Sequence, residues 1–169
     1  MKHIYRIRSG GQTGADRGAL DAALDCGVPI TGWVPKGGWA EDMPDAPGLL
    51  AKYPQLKDSG YEDVNIRTRL NVRDSHATLI IIPYSKQDIP GTILTEMIAL
   101  QMNRPYFVTD AKSIERTETW LNSLPYEITL NVAGPRESEV PGTYKKTYEH
   151  IKELLKLNEK MSVDDNLRA

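Results

Sequence analysis

At 169 residues, with 40% hydrophobic and 26% charged residues, the chain has the size and composition of one globular domain, which excludes a disordered or fibrous protein. Basic residues number 21 and acidic residues 23, a net charge of -2, so no overall field draws nucleic acid or an anionic membrane and any anion must be held locally. A single cysteine, Cys26, excludes an intrachain disulfide, a thiolate zinc site and a CxxC redox pair, and fits a reducing, cytoplasmic setting.

Residues 1–6 run directly into a strand-like alternation without the apolar core of a secretory signal, and the longest apolar stretch, Leu79-Ile80-Ile81-Ile82, is too short to span a bilayer. Residues 4–8 predict a strand, which the following glycines end before a helix that begins near Thr13 or Gly14. On that helix Ala15, Gly18, Ala19, Ala22, Ala23 and Cys26 recur at helical spacing, so its buried stripe is built of small residues and predicts a close approach to a sheet. Gly27 stops the helix, and residues 28–34 read as a second strand ending at Pro35.

Residues 35–60 are rich in Gly, Pro and Asp and keep no period, which predicts a long loop with at most a turn of helix, a kind of segment that is often functional. A short helix over 63–73 precedes a strand over 77–83, whose unbroken apolar run suits burial on both faces. The helix predicted over 92–103 carries Leu94, Met97, Ile98 and Gln101 on one side. A strand at 105–109, a helix at 113–123 and a strand at 127–133 follow. The last helix, from about residue 144, is expected to bury Tyr144, Thr147, Tyr148, Ile151, Leu154 and Leu155, and residues 161–169 read as a loose tail.

Strands alternating with helices imply right-handed crossovers and a Rossmann-like three-layer α/β fold around a mainly parallel sheet of about five strands, one ligand-binding domain over residues 4–160. Ligands of such sheets lie beyond the carboxyl ends of the strands, where the strand order reverses. The turn Ser9-Gly10-Gly11-Gln12-Thr13-Gly14 leaves a strand and opens a helix, so its backbone N–H groups and the positive helix end predict an anion site. It is neither a GxGxxG fingerprint nor a P-loop. Asp16, in the first turn of that helix, repels a phosphate unless a metal or Arg17 intervenes. Two readings of it stay open, a capping role with Thr13 and hydrogen bonds to a ribose or pterin.

A second turn, Pro90-Gly91-Thr92, again opens a helix after a strand, with Glu96 just inside it. Arg69 and Arg73 share a helix face and Arg67 points elsewhere, a pattern that also fits a solvated basic face. Arg136 and Ser138 fall just past a strand's carboxyl end, and Trp39, in Lys36-Gly37-Gly38-Trp39, either stacks on a ring or covers the sheet edge. His3, His76 and His150 show no ligand spacing, and Ser9 lacks the G-x-S-x-G elbow of a hydrolase.

Ser9-Gly10-Gly11-Gln12-Thr13-Gly14-Ala15-Asp16-Arg17 and Gly32-Trp33-Val34-Pro35-Lys36-Gly37, with 70–75 and 130–138 after them, resemble the signatures of the family described as molybdenum carriers. That family is a branch of the Rossmann-like SLOG (SMF/DprA-LOG) superfamily, which includes the LOG phosphoribohydrolases and the DNA-processing protein DprA. The resemblance covers residues 4–155 and implies a ligand site at Ser9, Gly10, Gly11, Gln12, Thr13, Gly14, Asp16, Arg17, Lys36, Gly91, Thr92 and Arg136. It implies as ligand a nucleotide, an ADP-ribose-like molecule or the molybdenum cofactor, with no metal ligated by the protein, and a homo-oligomer.

Against the LOG pattern, Gly91-Thr92 matches the end of the PGGxGTxxE signature and Arg67 falls at the spacing of the catalytic arginine. The alternative this implies is cleavage of the N-glycosidic bond of a nucleoside monophosphate by Arg67 and Glu96. Two departures weigh against it. Residues 83–90 replace the contiguous Pro-Gly-Gly, and Glu96 sits four residues after Thr92 instead of three, which turns it by about 100° around the helix. DprA-like binding of single strands would need a positive groove, which the near-neutral charge does not supply.

Overall fold

The computed structural model describes residues 4–85, 89–124 and 127–167. His3 and residues 86–88 of the segment that replaces the Pro-Gly-Gly lie outside them. Strand β1 (Ile4–Arg8) leads to helix α1 (Ala15–Asp25), followed by β2 (Ile30–Thr31) and β3 (Trp33–Val34). The glycine- and proline-rich stretch holds one turn of 3-10 helix (Lys36–Gly38), α2 (Leu49–Lys52) and β4 (Lys57–Asp58). Then come α3 (Val64–Arg73), β5 (Ala77–Ile81), α4 (Pro90–Gln101), β6 (Tyr106–Thr109), α5 (Ile114–Asn122), β7 (Ile128–Ala133) and α6 (Thr143–Leu167).

Five parallel strands form the main sheet in the order β2-β1-β7-β5-β6, so the seventh strand lies in the middle. Leu130 of β7 pairs with Ile7 of β1 and Val132 with Leu79 of β5. Helices α1, α5 and α6 pack on one side and α3 and α4 on the other, which gives the three layers. All five residues of β5 are buried, as its unbroken apolar run requires. The core joins Ile7, Leu20, Leu79, Ile81, Leu130 and Ile151, while Val72 packs with Ile98 and Ala99 between α3 and α4.

Several expectations are corrected. The strand read over 28–34 is two strands in different sheets. A Cβ at Gly32 would lie 1.7 Å from the Ser9 carbonyl oxygen, so the chain crosses the end of β1 at van der Waals contact and leaves the main sheet to pair with β4. The small-residue stripe of α1 serves helix packing most tightly: a Cβ at Gly18 would lie 2.5 Å from the Tyr144 carbonyl oxygen of α6. Tyr144 is correspondingly at the rim, its hydroxyl donating to Asp21 at 2.9 Å. Met97, grouped in sequence on one side with Leu94 and Ile98, parts from the buried Ile98 and is half exposed in a line with Ile93 and Leu100. The backbone of α6 is helical to Leu167, inside the stretch read as a loose tail, since neither proline nor glycine interrupts it. No helix among the described residues is long and apolar enough to cross a membrane.

His150 of α6 is buried, with Nε2 3.0 Å from the Thr117 hydroxyl oxygen of α5. Burial pushes its pKa below the ordinary value of 6.5, against a weaker upward pull from Asp110. Well above pH 6.5 both folded and unfolded chains carry it neutral. As pH falls below that, the unfolded chain takes up a proton that the folded one resists, and stability is lost. The urea midpoint is therefore expected to drop between pH 7.5 and 5.5, and to drop less in His150→Gln. An equal drop in both would assign the acid sensitivity to other groups.

Candidate functional site

Three N–H groups of the strand-to-helix turn after β1, those of Gln12, Thr13 and Ala15, are bonded within the protein itself. Gly14 opens α1 with φ 76° and no side-chain cap, and the Ala15 N–H donates to the Pro135 carbonyl at 3.1 Å. A Cβ at Gly14 would lie 2.3 Å from that same oxygen, so this glycine exists for the approach of the loop after β7. The Gln12 N–H donates to the Asp16 carboxylate at 3.3 Å and the Thr13 N–H to the Gln12 side chain at 3.0 Å. Gly11 faces the core, where a Cβ would sit 3.0 Å from Leu49. Ser9 is buried and its hydroxyl donates to the Val132 carbonyl at 2.7 Å, tying β1 to β7.

Arg17 and Lys36 also stand away from any ligand space. The Arg17 guanidinium donates twice to Asp42 at 2.9 Å and once to the Gly11 carbonyl at 3.1 Å, which pins the loop over 40–43 to α1. Hydrogen bonding to Arg17 holds the Asp42 carboxyl below its usual value. Lys36 is exposed near Glu62.

A cavity of about 380 Å³ opens beyond the carboxyl end of β7, between the turn after β1, helix α3 and the start of α4. Gly10, Gln12, Asp16, Arg67, Gly91 and Arg136 line it, so six of the residues singled out in the sequence meet there. Arg67 forms the floor. Its guanidinium donates to Asp16 at 2.8 Å and lies where a Cβ on Gly10 would be, at 1.7 Å. Glycine is needed at position 10 to let that side chain pass. Its Nε is buried without a hydrogen-bond partner among the described residues. Arg136 reaches in from the other wall, 5.9 Å over the Trp39 ring and 4.0 Å from Glu41. Trp39 thus stacks on a guanidinium. Burial raises the pKa of Glu41, but the hydroxyls of Thr13 and Ser138 and the charge of Arg136 together hold it below the usual carboxylate range.

Helix α4 turns its start toward the same space. No side chain caps it, no acidic residue stands in its first turn, and a Cβ at Gly91 would meet nothing within 4 Å. Its positive end therefore favours an anion. Thr92 is buried beside the cavity and does not line it. Glu96 is turned the other way and accepts a hydrogen bond from Tyr106, whose phenol it shifts to a higher pKa. The two candidate catalytic groups are thus not brought together. Asn65, Thr68, Asn71, Thr95 and Asn131 were missed as lining residues because polar side chains on helices and strands carry no local signal of a shared cavity. Among the described residues no group of three or more His, Cys, Asp and Glu is placed to hold a metal ion.

Numbered from β7 onward, β7, β1, β2, β5 and β6 fill the places 1, 2, 3, 4 and 5 of the sheet order 3-2-1-4-5, the order of doubly wound sheets. The chain has that fold with its first strand moved to the end. Residues 7–155 match the family described as the circularly permutated YpsA SLOG family. This chain belongs to that family. In permuted YpsA terms, the cavity lies where strands 1 and 4 diverge, the place where such sheets bind ligands. A crystal structure of a protein from Syntrophus aciditrophicus SB, named "Putative molybdenum carrier protein", is similar over 91% of this chain and 96% of its own, with 39% identity and a TM-score of 0.79. No curated protein matches this permuted YpsA chain.

Proposed function

We propose that this permuted YpsA protein is a binding module for a phosphate-bearing, nucleotide-like small molecule held in the cavity between α3, α4 and β7. The observation that carries the reading is the buried, unpartnered Arg67 Nε in a cavity of about 380 Å³. That volume suits a nucleotide-sized ligand. The phosphate belongs between the start of α4, Arg67 and Arg136, with the turn over Gly10–Gly14 serving as wall more than cradle. The ring lies toward Val64 and Leu94, which supply the apolar lining. The name of the Syntrophus protein supports a molybdopterin-type molecule as one candidate, carried as cargo through its own phosphate and ring, because Cys26 packs against the core at the far end of α1.

The direction of Glu96 supports binding over N-glycosidic cleavage, which needs a carboxylate close to the reacting sugar. A cytoplasmic setting suits the single reduced cysteine. Self-association belongs to the same reading, and Ile93, Met97 and Leu100 on α4 supply an apolar face for it.

The test is calorimetry with AMP, GMP and CMP on the wild type and on Gly91→Val. Gly91 borders open space, so valine fits the fold and fills the mouth of the phosphate place. At least one monophosphate is expected to bind, more than tenfold more weakly in the variant, at an unchanged melting temperature. Equal affinity in both would remove α4 from the site. Light scattering on the same samples is expected to give more than the mass of one chain.

A further inference from the structure

We infer that this site takes a ligand with one phosphoryl group and rejects diphosphate-bridged dinucleotides, and that Glu137 is the residue that sets this choice. The inference rests on the binding reading above and narrows it. In a doubly wound sheet the pyrophosphate of a dinucleotide sits at the start of the helix that follows the first strand. Here that unit is β7 and α6.

Its anion place is already filled by the protein's own carboxylate. The Gly142 N–H donates to one Glu137 oxygen at 2.5 Å and the Tyr144 N–H to the other at 2.8 Å, while the Thr143 N–H donates to the Val140 carbonyl at 3.2 Å. The carboxylate is held in turn, because the Glu137 N–H donates to the Thr13 hydroxyl at 3.2 Å. The loop that carries it is fixed at its root as well. A Cβ at Gly134 would lie 2.2 Å from the Ile81 carbonyl oxygen and 2.7 Å from the Ala15 Cβ, so the loop after β7 is pressed between β5 and α1.

Charge points the same way. The Arg136 N–H donates to the Glu139 carboxylate at 2.9 Å, and Glu41 accepts from Ser138, so a phosphate near the start of α6 would face three carboxylates. Of the two cations that face the cavity, Arg67 stands on α3, away from the start of α6, and Arg136, on the loop after β7, already has Glu41 at 4.0 Å. One anion can be matched there and a second cannot.

The experiment compares the affinities of AMP, ADP-ribose and NAD by calorimetry in the wild type, Glu137→Gln, Glu137→Asp and Arg67→Ala. The wild type is expected to prefer AMP at least tenfold. Glu137→Gln removes the charge and is expected to shrink that preference severalfold by improving ADP-ribose binding, whereas Glu137→Asp, which keeps the charge, retains it. A wild type that binds ADP-ribose or NAD as tightly as AMP overturns the inference and leaves the binding reading standing, as does a preference unchanged in Glu137→Gln. Absence of binding by AMP, GMP and CMP alike in the wild type, or monophosphate affinity untouched by Arg67→Ala, overturns the binding reading and the inference with it.

Discussion

Arg67→Ala is expected to lower the free energy of unfolding by about 3 kcal/mol and to abolish monophosphate binding. Asp16 is almost wholly buried, and Arg67 is its one ion-pair partner among the described residues. Without the guanidinium, the carboxylate keeps only the long hydrogen bond from the Gln12 N–H. Breaking a buried pair from one side costs about 3–5 kcal/mol, and the partial exposure of Arg67 places this case at the low end. Truncation also empties the space over Gly10. Arg67→Lys should recover part of the stability, because an ammonium restores charge but cannot lie as a flat plate over the Gly10 backbone. Urea denaturation reads the first effect and calorimetry the second. A loss below about 1 kcal/mol would mean that the pair behaves as a solvated one.

Gly32→Ala is expected to prevent folding, with a cost above about 4 kcal/mol. The added Cβ would fall 1.7 Å from the Ser9 carbonyl oxygen and 2.9 Å from its carbon, both backbone atoms at the end of a central β-strand. No rotamer change relieves that. Gly27→Ala is the contrasting case, since its Cβ meets nothing within 4 Å and only the φ of 67° opposes it. Its cost should stay near about 1 kcal/mol. Soluble yield and thermal melting distinguish the two. A Gly32→Ala protein melting within a few degrees of wild type would show that β1 and the 30–34 segment can separate.

The alternation of strands and helices was legible because each element carries its own period. The unbroken Leu79-Ile80-Ile81 run and the small stripe from Ala15 to Ala23 both declare burial without reference to partners. What the stripe meets is not local information, and the sheet was expected where Tyr144 of α6 makes the closest approach. The site was legible as a set of residues more than as an arrangement. Gly10, Asp16, Arg67, Gly91 and Arg136 converge on one cavity. The glycine-rich turn reads as an anion cradle in sequence, and nothing local says that Pro135 takes the Ala15 N–H or that the Gln12 side chain takes the Thr13 N–H. Glycines chosen for close packing and glycines chosen for a ligand read alike in one dimension. Glu96 was the exception, since its one-residue offset along α4 was visible in the spacing and its partner is Tyr106.

The position of β7 bears on how this chain comes into being on the ribosome. Strands β1 and β2 pair with each other, as do β5 and β6, but the two ribbons share no hydrogen bonds and are joined only through β7. Without β7, residues 4–122 can therefore form in this sheet at most two separate parallel pairs, each with an open edge where β7 enters. Such edges invite pairing with other chains. Parallel pairs with long sequence separations are also slow to close, so most of the stabilising burial arrives in a single late event. Synthesis thus leaves the ordered sheet until residues 128–133 emerge and zip both halves at once.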